Sequence, residues 1–173
     1  DRALGRDAET VARLGRAIVE ALQAGGVAAC AKHFPGHGET FADSHEELPV
    51  IDLSPERLRA VELVPFEAAI HAGVTAIMVG HLLVAALDEA HPASLSSAIV
   101  TGLLRGEIGF GGLVVTDDLE MKAISAPSST TGKWRNRRRV IMLSASSIVV
   151  AASTVMAGDV MIFSTGRSRQ APP

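Results

Sequence analysis

Short apolar runs that alternate with amphipathic helical stretches constrain the fold of this chain more than any other feature. Apolar runs occupy residues 27–31, 74–79 and 113–116, spaced roughly forty residues apart. Continuous apolar runs of this length are typical of strands that are buried on both faces of a parallel sheet. Helices between such strands provide the crossover connections. The pattern predicts an α/β fold built on a parallel sheet, either a barrel or an open sheet.

Three helices are predicted between and before these strands. The first spans about residues 7–24, where apolar side chains recur every three or four positions, and it ends at Gly25-Gly26. The second begins at Ser54, a hydroxyl side chain that can cap a helix, and Pro65 should kink or divide it. The third covers residues 97–107. Helix and strand therefore alternate through most of the first 117 residues.

Polar side chains follow each predicted strand at its C-terminal end. Lys32 and His33 follow the first strand, His81 the second and Asp117 the third. In parallel α/β folds, ligands bind at this edge of the sheet. Three strand ends that carry polar groups to one edge predict a functional site there.

The segment after the first strand, residues 34–52, is rich in Gly, His, Asp and Glu, and long loops in compact domains are usually functional. It could be a solvated connector. It could also bind a metal through His33, His37, Asp43 and His45, although this spacing matches no zinc motif. A third interpretation pairs Asp43 with His45, because a carboxylate two residues away can orient an imidazole as an acid/base group.

Two consecutive acids, Asp117 and Asp118, follow the third strand. A single Asp in this place commonly caps the next helix. Because one cap needs one residue, Asp118 is the better cap candidate. Asp117 is then available as a nucleophile or an electrostatic stabiliser.

Composition excludes several classes of partner and site. The chain of 173 residues has a net charge of −3, 3% aromatic residues and no Tyr, which argues against binding to nucleic acid. Cys30 is the single cysteine, and its apolar neighbours predict a buried core residue. The apolar run at residues 140–157 follows a basic segment as a membrane span would, but its Ser, Thr and Ala content favours an improvised helix or a disordered tail. A membrane partner and a cofactor are not expected, and the start of the chain lacks the pattern of a signal peptide.

Several motifs together resemble the N-acetylglucosaminidase branch of glycoside hydrolase family 3, over about residues 1 to 125. The motifs are Lys32-His33-Phe34-Pro35-Gly36-His37-Gly38, Asp43-Ser44-His45, Leu48-Pro49, Glu62-Leu63-Val64-Pro65-Phe66, Ile77-Met78-Val79-Gly80-His81, Pro92-Ala93-Ser94-Leu95-Ser96 and Gly112-Leu113-Val114-Val115-Thr116-Asp117-Asp118-Leu119-Glu120-Met121.

The resemblance implies a retaining β-N-acetylhexosaminidase that removes terminal β-linked N-acetylglucosamine in the cytoplasm, in the recycling of cell-wall muropeptides. It implies that Asp117 is the nucleophile and that His45, paired with Asp43, is the acid/base. The sugar-binding residues of the family fall on Arg2, Lys32 and His33. Two alternatives stay open, a β-glucosidase-like enzyme of the same family and a catalytically dead fragment that at most binds sugar.

The resemblance also implies a TIM-type (β/α)8 barrel. A complete barrel takes about 200 to 250 residues, so the expectation is a partial barrel that lacks N-terminal strands. Residues 1–126 are assigned to this partial catalytic barrel. Residues 127–173 depart from the family pattern and are assigned to an atypical linker with a basic and apolar tail.

Overall fold

The computed structural model of the chain describes residues 4–37 and 48–119, together with the backbone of Val149–Val150. The first helix, α1, spans Ala8–Ala24, as the periodicity predicts. The Asp7 side chain caps it by accepting a hydrogen bond from the Thr10 N–H at 2.8 Å. Gly25 ends it, and Gly26 follows with a φ of 78° that suits a residue without Cβ.

The other elements follow in chain order. They are β1 (Ala29–Phe34), β2 (Val50–Ile51), α2 (Pro55–Arg57), a π-helical segment (Leu58–Glu62), α3 (Val64–His71), β3 (Ala76–Val79), β4 (Leu83–Val84), a 3₁₀ turn (Ala93–Leu95), a second π-helical segment (Ala98–Glu107), β5 (Leu113–Thr116) and β6 (Val149–Val150).

The boundaries of the second helical region follow local sequence signals. Ser54 accepts a hydrogen bond from the Arg57 N–H at 3.2 Å, which is the predicted capping role. The helix is divided as expected, because α3 begins at Val64 and Pro65 occupies its first turn, where a missing N–H costs least.

The first strand differs from its prediction. An end at Lys32 and His33 is wrong, because β1 continues through both residues to Phe34. The reason is pairing with β3, in which Phe34 lies opposite Val79 and the Phe34 carbonyl accepts from the Gly80 N–H at 3.0 Å. Two cis peptide bonds, Lys32–His33 and Phe34–Pro35, lie at this end of the strand.

The strands form two parallel sheets. The larger has four strands in the order β5-β3-β1-β6, and the smaller pairs β2 with β4. This confirms the predicted α/β class with parallel strands. Neither β2 nor β4 was predicted, since each is only two residues long.

The main core lies between the larger sheet and the helices. It includes Phe34 and Phe66, whose rings meet edge to face with centroids 5.3 Å apart. The opposite face of the sheet carries a smaller cluster, with Cys30 and Ala76 at its centre. Within the described residues, no helix is long and apolar enough to cross a membrane. Apart from the backbone of β6, the tail assigned to residues 127–173 lies outside the described residues.

Candidate active site

The C-terminal ends of β1, β3 and β5 lie side by side. Val79 pairs with Phe34 on one side and with Thr116 on the other, so these three residues are at one level of the sheet. The Asp117 N–H continues the ladder by donating to the Val79 carbonyl at 3.1 Å. The polar residues predicted to share an edge are therefore brought to the same edge.

A side-chain contact at this edge joins His33 and Asp117. His33 Nε2 lies 3.4 Å from Asp117 Oδ2, and the two side chains are 18% and 21% exposed. Both groups are partly enclosed and still accessible from solvent. A small polar ligand can reach the carboxylate and the imidazole together.

The Asp117 carboxylate is oriented by its own neighbour. Its Oδ1 accepts a hydrogen bond from the Asp118 N–H at 2.9 Å, while the Thr116 hydroxyl donates to the Asp117 carbonyl. Oδ2 is the oxygen that faces His33. The carboxylate therefore presents one oxygen to the edge of the sheet while the other is held by main chain. The residues after Leu119, where Asp118 was expected to cap a helix, lie outside the described residues.

Lys32 lies on β1 one residue before His33, and only 5% of its surface is exposed. Burial raises the pKa of the Cys30 thiol to about 12, and the charge of Lys32 and a main-chain hydrogen bond from Met78 oppose this rise. Cys30 is fully buried, which confirms it as a core residue. Lys32 lies at the same end of the sheet as Asp117.

The turn that leaves β1 packs tightly on the π-helical segment. The Gly36 N–H donates to the His33 carbonyl at 2.9 Å, and the His37 ring lies 5.9 Å from the His33 ring. Gly36 has a φ of 131°, and a Cβ placed there would lie 2.8 Å from the Cβ of Glu62. Only glycine fits this approach.

Glu62 is a buried carboxylate that the sequence reasoning did not single out. It is 6% exposed, and its Oε1 accepts a hydrogen bond from Arg57 Nη2 at 3.2 Å. Its Oε2 is buried without a hydrogen-bond partner in the described part of the chain. Only its place in the Glu62-Leu63-Val64-Pro65-Phe66 motif set it apart in the sequence.

His81 lies at the predicted edge of the sheet, but unlike His33 and Asp117 it is not accessible to a ligand there. Its ring is buried, at 1% exposure. Nδ1 lies 2.7 Å from the Ser94 hydroxyl, and Nε2 lies 2.9 Å from the carbonyl oxygen of Asp118. His81 therefore contacts the segment that follows Asp117, and its ring is closed to solvent.

The remaining predicted site residues, Arg2, Asp43 and His45, lie outside the described residues, and their roles stay predictions. The metal interpretation depended on two of them. Within residues 4–37 and 48–119, no group of three His, Cys, Asp or Glu side chains is arranged to hold a metal ion.

Comparison with known proteins finds a family of glycosyl hydrolases and relatives named β-hexosaminidase. The glycosyl hydrolase family 3 N terminal domain matches residues 1–144. A β-hexosaminidase of Chromobacterium violaceum is 34% identical over 162 residues, which are 94% of this chain and 44% of that protein. A β-hexosaminidase of Nitrosospira multiformis is 40% identical over 121 residues, which are 70% of this chain and 34% of that protein.

Solved structures agree with these relatives. A glycoside hydrolase family 3 β-N-acetylglucosaminidase from Paenibacillus sp. superposes with a TM-score of 0.70 and 54% identity over 71% of this chain and 24% of that chain. NagZ from Neisseria gonorrhoeae in complex with N-trifluoroacetyl-D-glucosamine superposes with a TM-score of 0.64 and 40% identity over 67% of this chain and 34% of that chain. The chain thus spans less than half the length of these relatives.

Proposed function

The chain belongs to glycoside hydrolase family 3, and from that membership we propose that it carries part of the active site of a retaining β-N-acetylglucosaminidase. Asp117 is the nucleophile, and His45 with Asp43 is the acid/base pair. Arg2, Lys32 and His33 bind the sugar. The substrate is a glycan or muropeptide that ends in β-linked N-acetylglucosamine, and the reaction belongs to cytoplasmic peptidoglycan recycling.

The contact between His33 and Asp117 carries this proposal. The two side chains come from strands that are not adjacent in the sheet, yet their polar atoms are 3.4 Å apart at its C-terminal edge. A carboxylate that is accessible to solvent at this edge, beside a group that can bind a hydroxyl, is the arrangement that a covalent glycosidase mechanism needs.

In the first step, an Asp117 oxygen attacks the anomeric carbon and the bond to the leaving oxygen breaks. His45 in its protonated form donates a proton to that oxygen, so the aglycone leaves as a neutral alcohol. The product is a glycosyl ester on Asp117.

In the second step, neutral His45 takes a proton from a water molecule that attacks the same carbon. The ester bond breaks, and Asp117 regains its charge. Two displacements at one carbon retain the β configuration.

The substrate is oriented by side chains that make no covalent bond with it, namely Lys32, His33 and Arg2. Hydrogen bonds to sugar hydroxyls hold the anomeric carbon opposite the carboxylate, which lowers the entropic cost of the attack. His33 is in a position to orient the sugar, since its Nε2 lies beside the Asp117 carboxylate.

We assign residues 1–126 to part of a (β/α)8 barrel. Support comes from the parallel strands with helices between them and from superposition on the Paenibacillus β-N-acetylglucosaminidase and on NagZ of Neisseria gonorrhoeae, with TM-scores of 0.70 and 0.64. The polar residues occupy the C-terminal edge, where barrel enzymes have their active sites.

The activity is tested by assay of this chain with p-nitrophenyl N-acetyl-β-glucosaminide and p-nitrophenyl β-glucoside. The proposal expects turnover of the first substrate and strong preference over the second, and loss of that turnover in Asp117→Ala. Preference for the glucoside would support the β-glucosidase alternative. Turnover of neither would support the dead fragment.

The acid/base role has its own test in an active chain. His45→Ala should slow the formation of the glycosyl-enzyme far more with a natural disaccharide than with a nitrophenyl glycoside. The reason is that nitrophenol needs little protonation to leave. Asp43→Ala should show the same pattern more weakly. Azide should restore turnover to His45→Ala but not to Asp117→Ala, since a small anion replaces water without a general base. Equal damage to both substrates would contradict a proton-donor role for His45.

A further inference from the structure

We propose that His81 is a positioning residue that holds the main chain beside Asp117 through a hydrogen bond from its Nε2–H to the Asp118 carbonyl. The inference rests on the proposed function, in which Asp117 is the nucleophile. His81 follows β3 by two residues, and β3 pairs directly with β5 in the sheet. Its ring is 1% exposed, so it is closed to substrate and cannot exchange protons with it.

The contacts of His81 define which ring nitrogen carries a proton. A carbonyl oxygen only accepts hydrogen bonds, so the 2.9 Å contact with the Asp118 carbonyl requires a proton on Nε2. In the neutral ring, Nδ1 is then an acceptor, and the Ser94 hydroxyl donates to it at 2.7 Å. Both nitrogens of the buried ring are thereby satisfied by uncharged partners.

The Ser94 side of this link is anchored by a hydrogen-bonded loop. The Asp88 carboxylate accepts from the Ala90 and His91 N–H groups at 2.9 and 3.0 Å and from the Ser96 hydroxyl at 2.7 Å. These bonds fix the loop on both sides of Ser94. His81 therefore connects a rigid loop to the segment after β5.

The Asp118 side of the link acts on the Asp117 carboxylate. The Asp117 N–H is fixed to Val79, and the Asp118 carbonyl is fixed to His81. The peptide between these two points supplies the Asp118 N–H, which holds Asp117 Oδ1 at 2.9 Å. Anchoring both ends of this short stretch fixes the rotation of the carboxylate, and with it the direction of Oδ2.

The matched variants are His81→Gln and His81→Leu. Glutamine offers an N–H donor near the position of Nε2, whereas leucine has similar bulk and no donor. With p-nitrophenyl N-acetyl-β-glucosaminide, His81→Leu should lower kcat by roughly 10- to 100-fold and leave KM within about threefold of the unsubstituted chain. A misdirected carboxylate raises the free energy of the transition state but does not weaken substrate binding. His81→Gln should recover kcat to within about threefold of the unsubstituted chain. Equal kcat values in the two variants would overturn the proposal.

A second readout does not depend on turnover and so separates this inference from the proposed function. Hydrogen–deuterium exchange of a peptide covering residues 113–119 should accelerate at least tenfold in His81→Leu and stay unchanged in His81→Gln. The peptide covering α1 is the control for global folding. Unchanged exchange at residues 113–119 in His81→Leu, with α1 protected, would refute the link whatever the activity.

If His81→Leu loses protection in α1 as well, the unsubstituted chain still provides a test. Histidine ¹⁵N spectra, with His81 assigned by its loss in His81→Gln, should show the Nε2–H form. A ring protonated on Nδ1 alone would exclude donation to Asp118 and overturn the proposal. Inactivity of the unsubstituted chain, with the exchange and tautomer results as expected, would count against the proposed function only.

Discussion

Replacement of Gly36 by alanine tests how the turn after β1 is held against the helical layer. Two costs follow from the structure. A φ of 131° disfavours any residue with a Cβ, and a left-handed conformation costs about 1 to 2 kcal/mol for such residues. The new Cβ would also lie 2.8 Å from the Cβ and 3.0 Å from the Cγ of Glu62. Glu62 is buried and its Cβ belongs to the helix frame, so relief requires a main-chain shift.

Overpacking of this kind costs roughly 1 to 3 kcal/mol. The matched control is Gly73→Ala, because Gly73 has a φ of 76° and no atom lies within 4 Å of the place that a Cβ would take there. The control carries a smaller cost of positive φ, because 76° is close to the left-handed α region and 131° is not. It carries the same gain from a less flexible unfolded chain. Gly36→Ala should therefore lose roughly 1 to 3 kcal/mol more of the free energy of unfolding than Gly73→Ala.

The measurement is urea unfolding followed by circular dichroism at 222 nm. With a slope of about 1 to 3 kcal/mol per molar urea, the midpoint of Gly36→Ala should fall below that of Gly73→Ala by roughly 1 M. Equal midpoints would show that the turn moves away from Glu62 at no cost, and the close-packing argument would be wrong. Because the Gly36 N–H bonds to the His33 carbonyl, any shift that is tolerated should appear at His33.

Three further predictions concern the core and the loops. Cys30 should not react with a thiol reagent at pH 8 until urea unfolds the chain, since its pKa is about 12, and labelling of the folded chain at the unfolded rate would contradict this. For Asp88, burial raises the pKa, but hydrogen bonds to the carboxylate hold it below 3.8. A carboxyl whose pKa is lower in the folded state adds stability at pH values above its unfolded-state pKa. The unsubstituted chain should therefore have a larger free energy of unfolding than Asp88→Asn at pH 7, and this difference should shrink as the pH falls below about 4. Gly112→Ala should cost roughly 1 to 3 kcal/mol more than Gly111→Ala in urea unfolding, because its Cβ would lie 2.6 Å from the Thr75 carbonyl oxygen and nothing lies within 4 Å at Gly111.

Local signals in the sequence were sufficient for the elements whose ends are marked by special residues. Helix α1 begins after the Asp7 cap and ends at Gly25, and β5 begins after a glycine-rich turn and ends before Asp117. Capping groups and glycines act on the backbone within one turn, so their effect can be read from neighbouring residues. The shared edge of Asp117 and His33 was also predictable, since parallel strands put their C-terminal ends together.

Only the tertiary structure decided which polar residues are accessible and how far β1 extends. The strand continues to Phe34 because β3 offers a partner 45 residues later in the chain, at Val79. His81 lies at the edge beside Asp117, as predicted, but packing buries its ring, which contacts Ser94 and Asp118. Residue type and spacing record which chemistry is available, but burial and hydrogen-bond partners arise from contacts between distant segments, and these exist only once the chain has folded.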